Sequence, residues 1–147
     1  MEMVKLISLM KTSKDEGTYT KDIVKFLHHR GFSATVKHGM TTEELLGYID
    51  KQIPVIVLIQ AWGNEKDFKN SYMDTWDDGH FVVVVGYTDK NVLISDPAIF
   101  NTGYIPIREF EDRWHDYDEG DVKTYHLGIP VYGKEPRFDK DEFVRIE

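Results

Sequence analysis

The chain has 147 residues, 41% of them hydrophobic and 13% aromatic, which is enough apolar material for one globular domain with a hydrophobic core. Its net charge of −8 argues against a surface for nucleic acid, and the sequence has no run of about 20 apolar residues that could span a membrane. Because it contains no cysteine, the chain can form neither a disulfide nor a thiolate metal site.

The N-terminal part of the chain is predicted to be mainly helical. Apolar residues within 4–10 are spaced as in a short amphipathic helix. A second helix is predicted to begin with Thr20 as its N-cap and to end before Gly31. A short strand is predicted at 32–36 because its residues alternate in polarity. The stretch Thr41-Thr42-Glu43-Glu44 then has the pattern of a capping box and predicts the start of a third helix.

A buried strand and a long loop are predicted next. The run Val55-Ile56-Val57-Leu58-Ile59 is continuously apolar, which is typical of a strand buried on both faces. The polar stretch from Gly63 to Asp78 is longer than most loops within a domain, and such loops are often functional. Its large apolar side chains either close the loop as a lid over a site near His80 or only anchor it to the core. They are Phe68, Tyr72, Met73 and Trp76.

Two apolar runs, 79–87 and 91–97, predict a hairpin that carries the candidate site. With Thr88-Asp89-Lys90 as its loop, Asp96 is expected opposite Val82 and diagonal to His80, so that His80 and Asp96 share one face. An imidazole oriented by a carboxylate on the neighbouring strand is the base and its orienting group in a nucleophilic triad. We therefore predict that His80 and Asp96 form a catalytic pair.

The remaining chain is predicted to add a short strand at 104–105, a helix and one last strand. The apolar residues of 107–114 have helical spacing, and the polar stretch 115–120 should break the helix. Residues 123–131 alternate loosely and predict the last strand. Residues 133–147 are charged and are typical of a tail or an extra edge element.

The segment Gly79-His80-Phe81-Val82-Val83-Val84-Val85-Gly86-Tyr87, followed by Ile94-Ser95-Asp96-Pro97, resembles the His and Asp segments of the bacteriocin-processing, or double-glycine-leader, cysteine peptidases. The resemblance implies an α+β, papain-like fold in which an antiparallel sheet packs against N-terminal helices. It also implies that His80 and Asp96 are the two residues of a Cys-His-Asp triad that this chain retains. The expected domain spans 1–131, and 132–147 form a charged C-terminal extension.

The departure from this family concerns the nucleophile. The resemblance places it on a helix before all the elements above, in a Gln-x-x-x-Cys-Gly segment, and residues 1–10 resemble the element after that helix. The first helix is therefore expected to be missing, and the domain to be incomplete at its N-terminus. Gln60 is not expected to serve as the oxyanion donor, because it ends a strand away from the nucleophile.

Three functions remain open. The first is a peptidase domain without its nucleophile, inactive as this chain, with the missing helix supplied by a preceding segment or by another chain. The second is a non-catalytic peptide-binding module, since relatives lacking the nucleophile bind substrate in toxin-secretion transporters. The third is a metal site with carboxylate and imidazole ligands. Its ligands would be Asp77, Asp78 and His80, with His115 and Asp116 as further candidates.

The predicted partner is a peptide or protein substrate, and we expect no cofactor, no nucleic acid and no membrane span. A signal-peptide pattern is absent, which together with the lack of cysteine favours a cytoplasmic location.

Overall fold

The computed structural model describes residues 19–60, 76, 79–96, 101–118 and 122–133. The described elements alternate between short helices and antiparallel strands. In chain order they are α1 (Thr20–His29), β1 (Ser33–Ala34), α2 (Thr42–Asp50), β2 (Val55–Gln60), β3 (Gly79–Tyr87), β4 (Asn91–Asp96), β5 (Asn101–Pro106), α3 (Ile107–Arg113), β6 (His115–Asp118), β7 (Val122–Tyr125) and β8 (Gly128–Tyr132). No helix in these ranges is both long and apolar enough to cross a membrane.

Six strands form one sheet in the order β1-β8-β2-β3-β4-β5, and every neighbouring pair is antiparallel. Strands β6 and β7 form a separate two-stranded ribbon. The large antiparallel sheet with few helices confirms the predicted α+β class. The strands β2 and β3, which lead to the candidate site, occupy the middle of the sheet.

The central strand β2 is buried along its whole length because both faces of the sheet are covered. On one face, Val57 and Ile59 belong to a hydrophobic cluster that includes Phe110 of α3. On the other face, Ile56 belongs to a cluster that includes Leu27 of α1. A strand between two apolar layers needs apolar side chains at every position, so the continuous run in the sequence predicted it correctly.

The capping box at the start of α2 is present as predicted. The Glu44 backbone N–H donates to the Thr41 side-chain oxygen at 3.0 Å, and the Glu44 side chain accepts from the Thr41 backbone N–H. Two otherwise unpaired backbone donors at the helix start are satisfied in this way.

We expect Thr41→Ala to lower the free energy of unfolding by about 1 kcal/mol, because it removes the cap. Thr42→Ala is a matched control, since the Thr42 hydroxyl is buried without a hydrogen-bond partner in the described part of the chain. Urea unfolding of both variants checks the prediction. An equal loss in the two would contradict a specific role for the cap.

The N-terminal predictions need two corrections. Thr20 is the first residue of α1 and not its cap, because Tyr19 has the extended backbone of an N-cap (φ −86°, ψ 147°). Thr20 is buried, so its side chain faces the protein instead of the helix end. The strand predicted at 32–36 is reduced to Ser33–Ala34, the part that pairs with β8. The predicted helix at 4–10 and the charged residues 134–147 lie outside the described residues.

The C-terminal predictions also need correction. The helix α3 ends at Arg113, one residue before the predicted end at Trp114, and 115–118 form the unpredicted strand β6 instead of only breaking the helix. The strand predicted at 123–131 is two strands, β7 and β8. The chain turns between them at His126, which has a positive φ of 52°. This left-handed conformation interrupts an extended strand, and a histidine gives little sequence signal for it.

Candidate active site

His80 is the second residue of β3 and lies opposite Ile59 of β2. Its side chain is half-buried. It lies at the end of the sheet where β2 ends and β3 begins. Asp96 is the last residue of β4, and its backbone pairs with Asn101 of β5. The two predicted site residues therefore stand on adjacent strands.

The loop of the β3–β4 hairpin differs from the prediction. Tyr87 pairs with Val92, so four residues, Thr88 to Asn91, separate the paired strands at this end. The Thr88 backbone N–H donates to the Asn91 carbonyl oxygen at 2.8 Å and closes the loop. The predicted loop of three residues was wrong. Because side chains alternate along a strand, a loop one residue longer would by itself put positions 80 and 96 on opposite faces.

A bulge at Val85 compensates for the longer loop. Beyond the bulge, Val83 pairs with Ser95, which is the register expected from the sequence at this end. Continued by one residue, this register gives position 96 the same face as His80. The side chain of Asp96 lies outside the described residues, so its contact with the imidazole stays a prediction.

A group of buried polar contacts adjoins the first residue of β3. The side chain of Gln60, at the end of β2, is fully buried. Its Nε2 donates to the carbonyl oxygen of His115 and to Oδ1 of Asp116, both at 3.0 Å. Its backbone carbonyl accepts from Nε of Arg113 at 2.7 Å. Gln60 thus joins β2 to β6, which agrees with its exclusion as an oxyanion donor.

The glycine before His80 is required by a close approach. A Cβ at Gly79 would overlap the carboxylate of Asp116. Any side chain at this position must displace Asp116 or move the start of β3. This reason for the glycine could not be found from the sequence, because Asp116 is remote along the chain.

Trp76 is the one described residue between 61 and 78, and it packs on the β6–β7 ribbon. Its ring centroid lies 4.5 Å from that of His115, 5.1 Å from Tyr117 and 5.5 Å from Tyr125. Nζ of Lys123 lies 4.7 Å from the Trp76 ring centroid. For this aromatic residue the contacts favour the anchoring interpretation. The lid interpretation concerns loop residues outside the described ranges.

The metal hypothesis finds no added support in the described ranges. No group of three or more His, Cys, Asp or Glu side chains in them could hold a metal ion. Asp77 and Asp78 lie outside these ranges. Asp116 uses its Oδ1 to accept from Gln60, and His115 is buried beneath Trp76.

Burial raises the pKa of Asp116, while hydrogen bonds from the Tyr117 backbone and Gln60 partly oppose this shift. A raised pKa means that protonated Asp116 favours the folded state. The stability gained from the protonated carboxyl is fully present below about pH 4, the pKa of an aspartate in the unfolded chain. It is lost as the pH rises through the pKa of Asp116 in the folded protein.

We therefore expect Asp116→Asn to gain stability relative to the wild type as the pH rises from about 4 through the pKa of Asp116. The asparagine keeps the shape of the side chain but cannot lose a proton. Urea unfolding across this range measures the difference, which should become constant at higher pH. Parallel curves for the two proteins would contradict the prediction.

The model of the Peptidase_C39 like family matches residues 8–122. The fold is similar to that of a C39-like peptidase from Bacillus anthracis, with a TM-score of 0.54 and 22% identity over 79% of this chain and 60% of that one. The present chain thus spans about 60% of the length of that peptidase. No functionally curated protein matches the sequence.

The fold is also similar to the peptidase domain of ComA from Streptococcus mutans, with a TM-score of 0.53 and 21% identity over 88% of this chain and 86% of that domain. A Streptococcus ComA peptidase domain gives a TM-score of 0.51 and 18% identity over 88% and 74%. That ComA is a bifunctional ABC transporter involved in a quorum-sensing pathway. At these identities the similarity concerns the fold.

Proposed function

The chain belongs to the Peptidase_C39-like family, and on this basis we propose that it binds a peptide beside His80 but does not cleave it unaided. The observation that carries the proposal is the Val83–Ser95 pairing, which continued by one residue gives positions 80 and 96 the same face, together with the lack of cysteine. The proposed domain comprises 1–131, with 132–147 as an extension.

In this proposal, His80 is a base that takes the proton of a nucleophile, and Asp96 holds the imidazole in the required tautomer. The pair can transfer a proton, but no acyl-enzyme forms without a nucleophile. A thiol from a preceding segment or from another chain would complete the site. The resulting thiolate would be stabilised by the imidazolium.

The lack of cysteine equally favours a second candidate, a module whose only role is to bind peptides. The surface beside His80 would then hold its ligand by hydrogen bonds and apolar contacts without reaction. The two candidates differ in whether an added thiol can make the site react.

We expect the chain to bind peptides ending in Gly-Gly saturably and to leave them intact. His80→Ala should weaken binding about 2- to 10-fold, the effect of one lost hydrogen bond of about 0.5–1.5 kcal/mol. His29→Ala is the control, because His29 is exposed at the end of α1. Calorimetry measures binding, and mass spectrometry detects cleavage.

Two results would count against the proposal. Binding that is absent, or unaffected by His80→Ala, would rule out a peptide site at His80. Cleavage by the unmodified chain at a rate that depends on His80 would mean that another nucleophile exists.

A further inference from the structure

The contact between Gly79 and Asp116 fixes the residue that immediately precedes His80. The Asp116 carboxylate occupies the volume that a side chain at Gly79 would fill. On the neighbouring strand, Gly79 is paired with Gln60. The start of β3 is therefore confined both by its strand partner and by a carboxylate from β6.

The carboxylate is itself held in place. Nε2 of the fully buried Gln60 donates to Oδ1 of Asp116 at 3.0 Å. The same amide donates to the neighbouring carbonyl of His115, which fixes β6 relative to β2. A short carboxylate with a buried hydrogen-bond donor has little freedom to leave Gly79.

Trp76 and Gly79 contact opposite faces of the β6–β7 ribbon. His115 pairs with Tyr125, and both side chains contact the Trp76 ring, so Trp76 marks one face. Asp116 is the next residue along β6 and belongs to the other face by strand alternation. Residues 76 and 79 thus fix the ribbon on both faces just before His80.

From this arrangement we infer that Asp116 is a positioning residue for His80, which acts by filling the space over Gly79. The inference rests on the proposed function only in treating His80 as a functional residue. The proposed role of Asp116 requires no contact with substrate. It sets the backbone position from which the imidazole projects.

A purely structural role for Asp116 predicts a loss of stability without a change at His80. The positioning role predicts a change in the environment of the His80 ring. The decisive measurement is therefore the titration of the six histidine rings by NMR in the folded full chain, without any peptide. This measurement is independent of peptide binding, so a failure of the proposed function would not be mistaken for a failure of the inference.

We expect Asp116→Ser, which lacks the two carboxylate oxygens that lie over Gly79, to change the proton-binding constant of His80 at least twofold. Asp116→Asn keeps the shape and should stay within error of the wild type. Asp118→Ser, two residues along the same face of β6, is the matched control and should leave His80 unchanged. Superimposable His80 curves for Asp116→Ser and the wild type would overturn the inference. An equal shift in Asp116→Asn would also overturn it, because the effect would then be one of charge.

A second variant covers the case in which Asp116→Ser does not fold. Gln60→Met removes the amide that holds Asp116 while leaving Gly79 intact. It should change the His80 constant in the same direction, and an unchanged constant would overturn the inference.

The steric part of the inference has its own test. Gly79→Ala should lower the melting temperature, since the new methyl group overlaps the Asp116 carboxylate. Adding Asp116→Ser to this variant should recover part of the loss. A double variant less stable than Gly79→Ala alone would show that the two residues do not compete for one space, and would overturn the inference.

Discussion

Joining a family-type N-terminal segment with Gln and Cys to this chain is expected to produce a peptidase that cleaves after Gly-Gly. The reason is that His80, the proposed base, and Asp96, its proposed orienting carboxylate, would gain the nucleophile on which they act. Replacing His80 by alanine in the extended protein should then lower kcat about 10²- to 10⁴-fold, which is the usual contribution of general-base catalysis.

A Cys→Ser version of the joined segment is the matched control, because it preserves the segment's packing and removes the thiol. Mass spectrometry of the peptide products measures cleavage, and a thiol-directed inhibitor reports the thiolate. An extended protein that folds yet neither cleaves peptides nor reacts with the inhibitor would show that the pair has lost its function. The peptide-binding module would then become the better account of the chain.

Trp114→Ala is expected to cost about 3–5 kcal/mol of unfolding free energy. The indole is fully buried, and its Nε1 donates to the Leu127 carbonyl oxygen at 2.9 Å. Its ring stacks on His126 at 4.4 Å with an interplanar angle of 11°, and lies 4.9 Å from Phe110. The substitution would leave both a cavity and an unpaired buried carbonyl.

Urea unfolding followed by circular dichroism measures this loss without relying on tryptophan fluorescence. Tyr104→Ala is the control, because Tyr104 is 69% exposed and should change stability by no more than about 0.5 kcal/mol. A loss below about 1 kcal/mol in Trp114→Ala would contradict its place at the centre of the core.

The parts of the fold that local pattern determines could be predicted from the sequence. The capping box at Thr41 and the continuous apolar strand β2 are examples, since each depends on residues adjacent in the chain. The segments of 79–87 and 94–97 carried enough resemblance to identify the family. The pairing of the His80 and Asp96 side chains was also predicted, and it stays a prediction.

The missed elements depend on distant contacts. Strand β6 contains two aspartates in four residues and has little intrinsic strand preference. It is extended because it pairs with β7 and lies under Trp76, which is remote along the chain. Likewise, the need for glycine at position 79 comes from Asp116, and no local pattern reports that contact.

The bulge at Val85 restricts how this hairpin can vary in evolution. Side chains on two paired strands share a face where their residues lie opposite each other, so at the present chain length the four-residue loop needs the bulge to bring positions 80 and 96 to one face. A four-residue loop with the bulge and a three-residue loop without it give the same pairing at these positions. A homologue with the same number of residues between them can therefore lose the bulge only if its loop shortens to three residues. Bulge and loop length in this hairpin should change together.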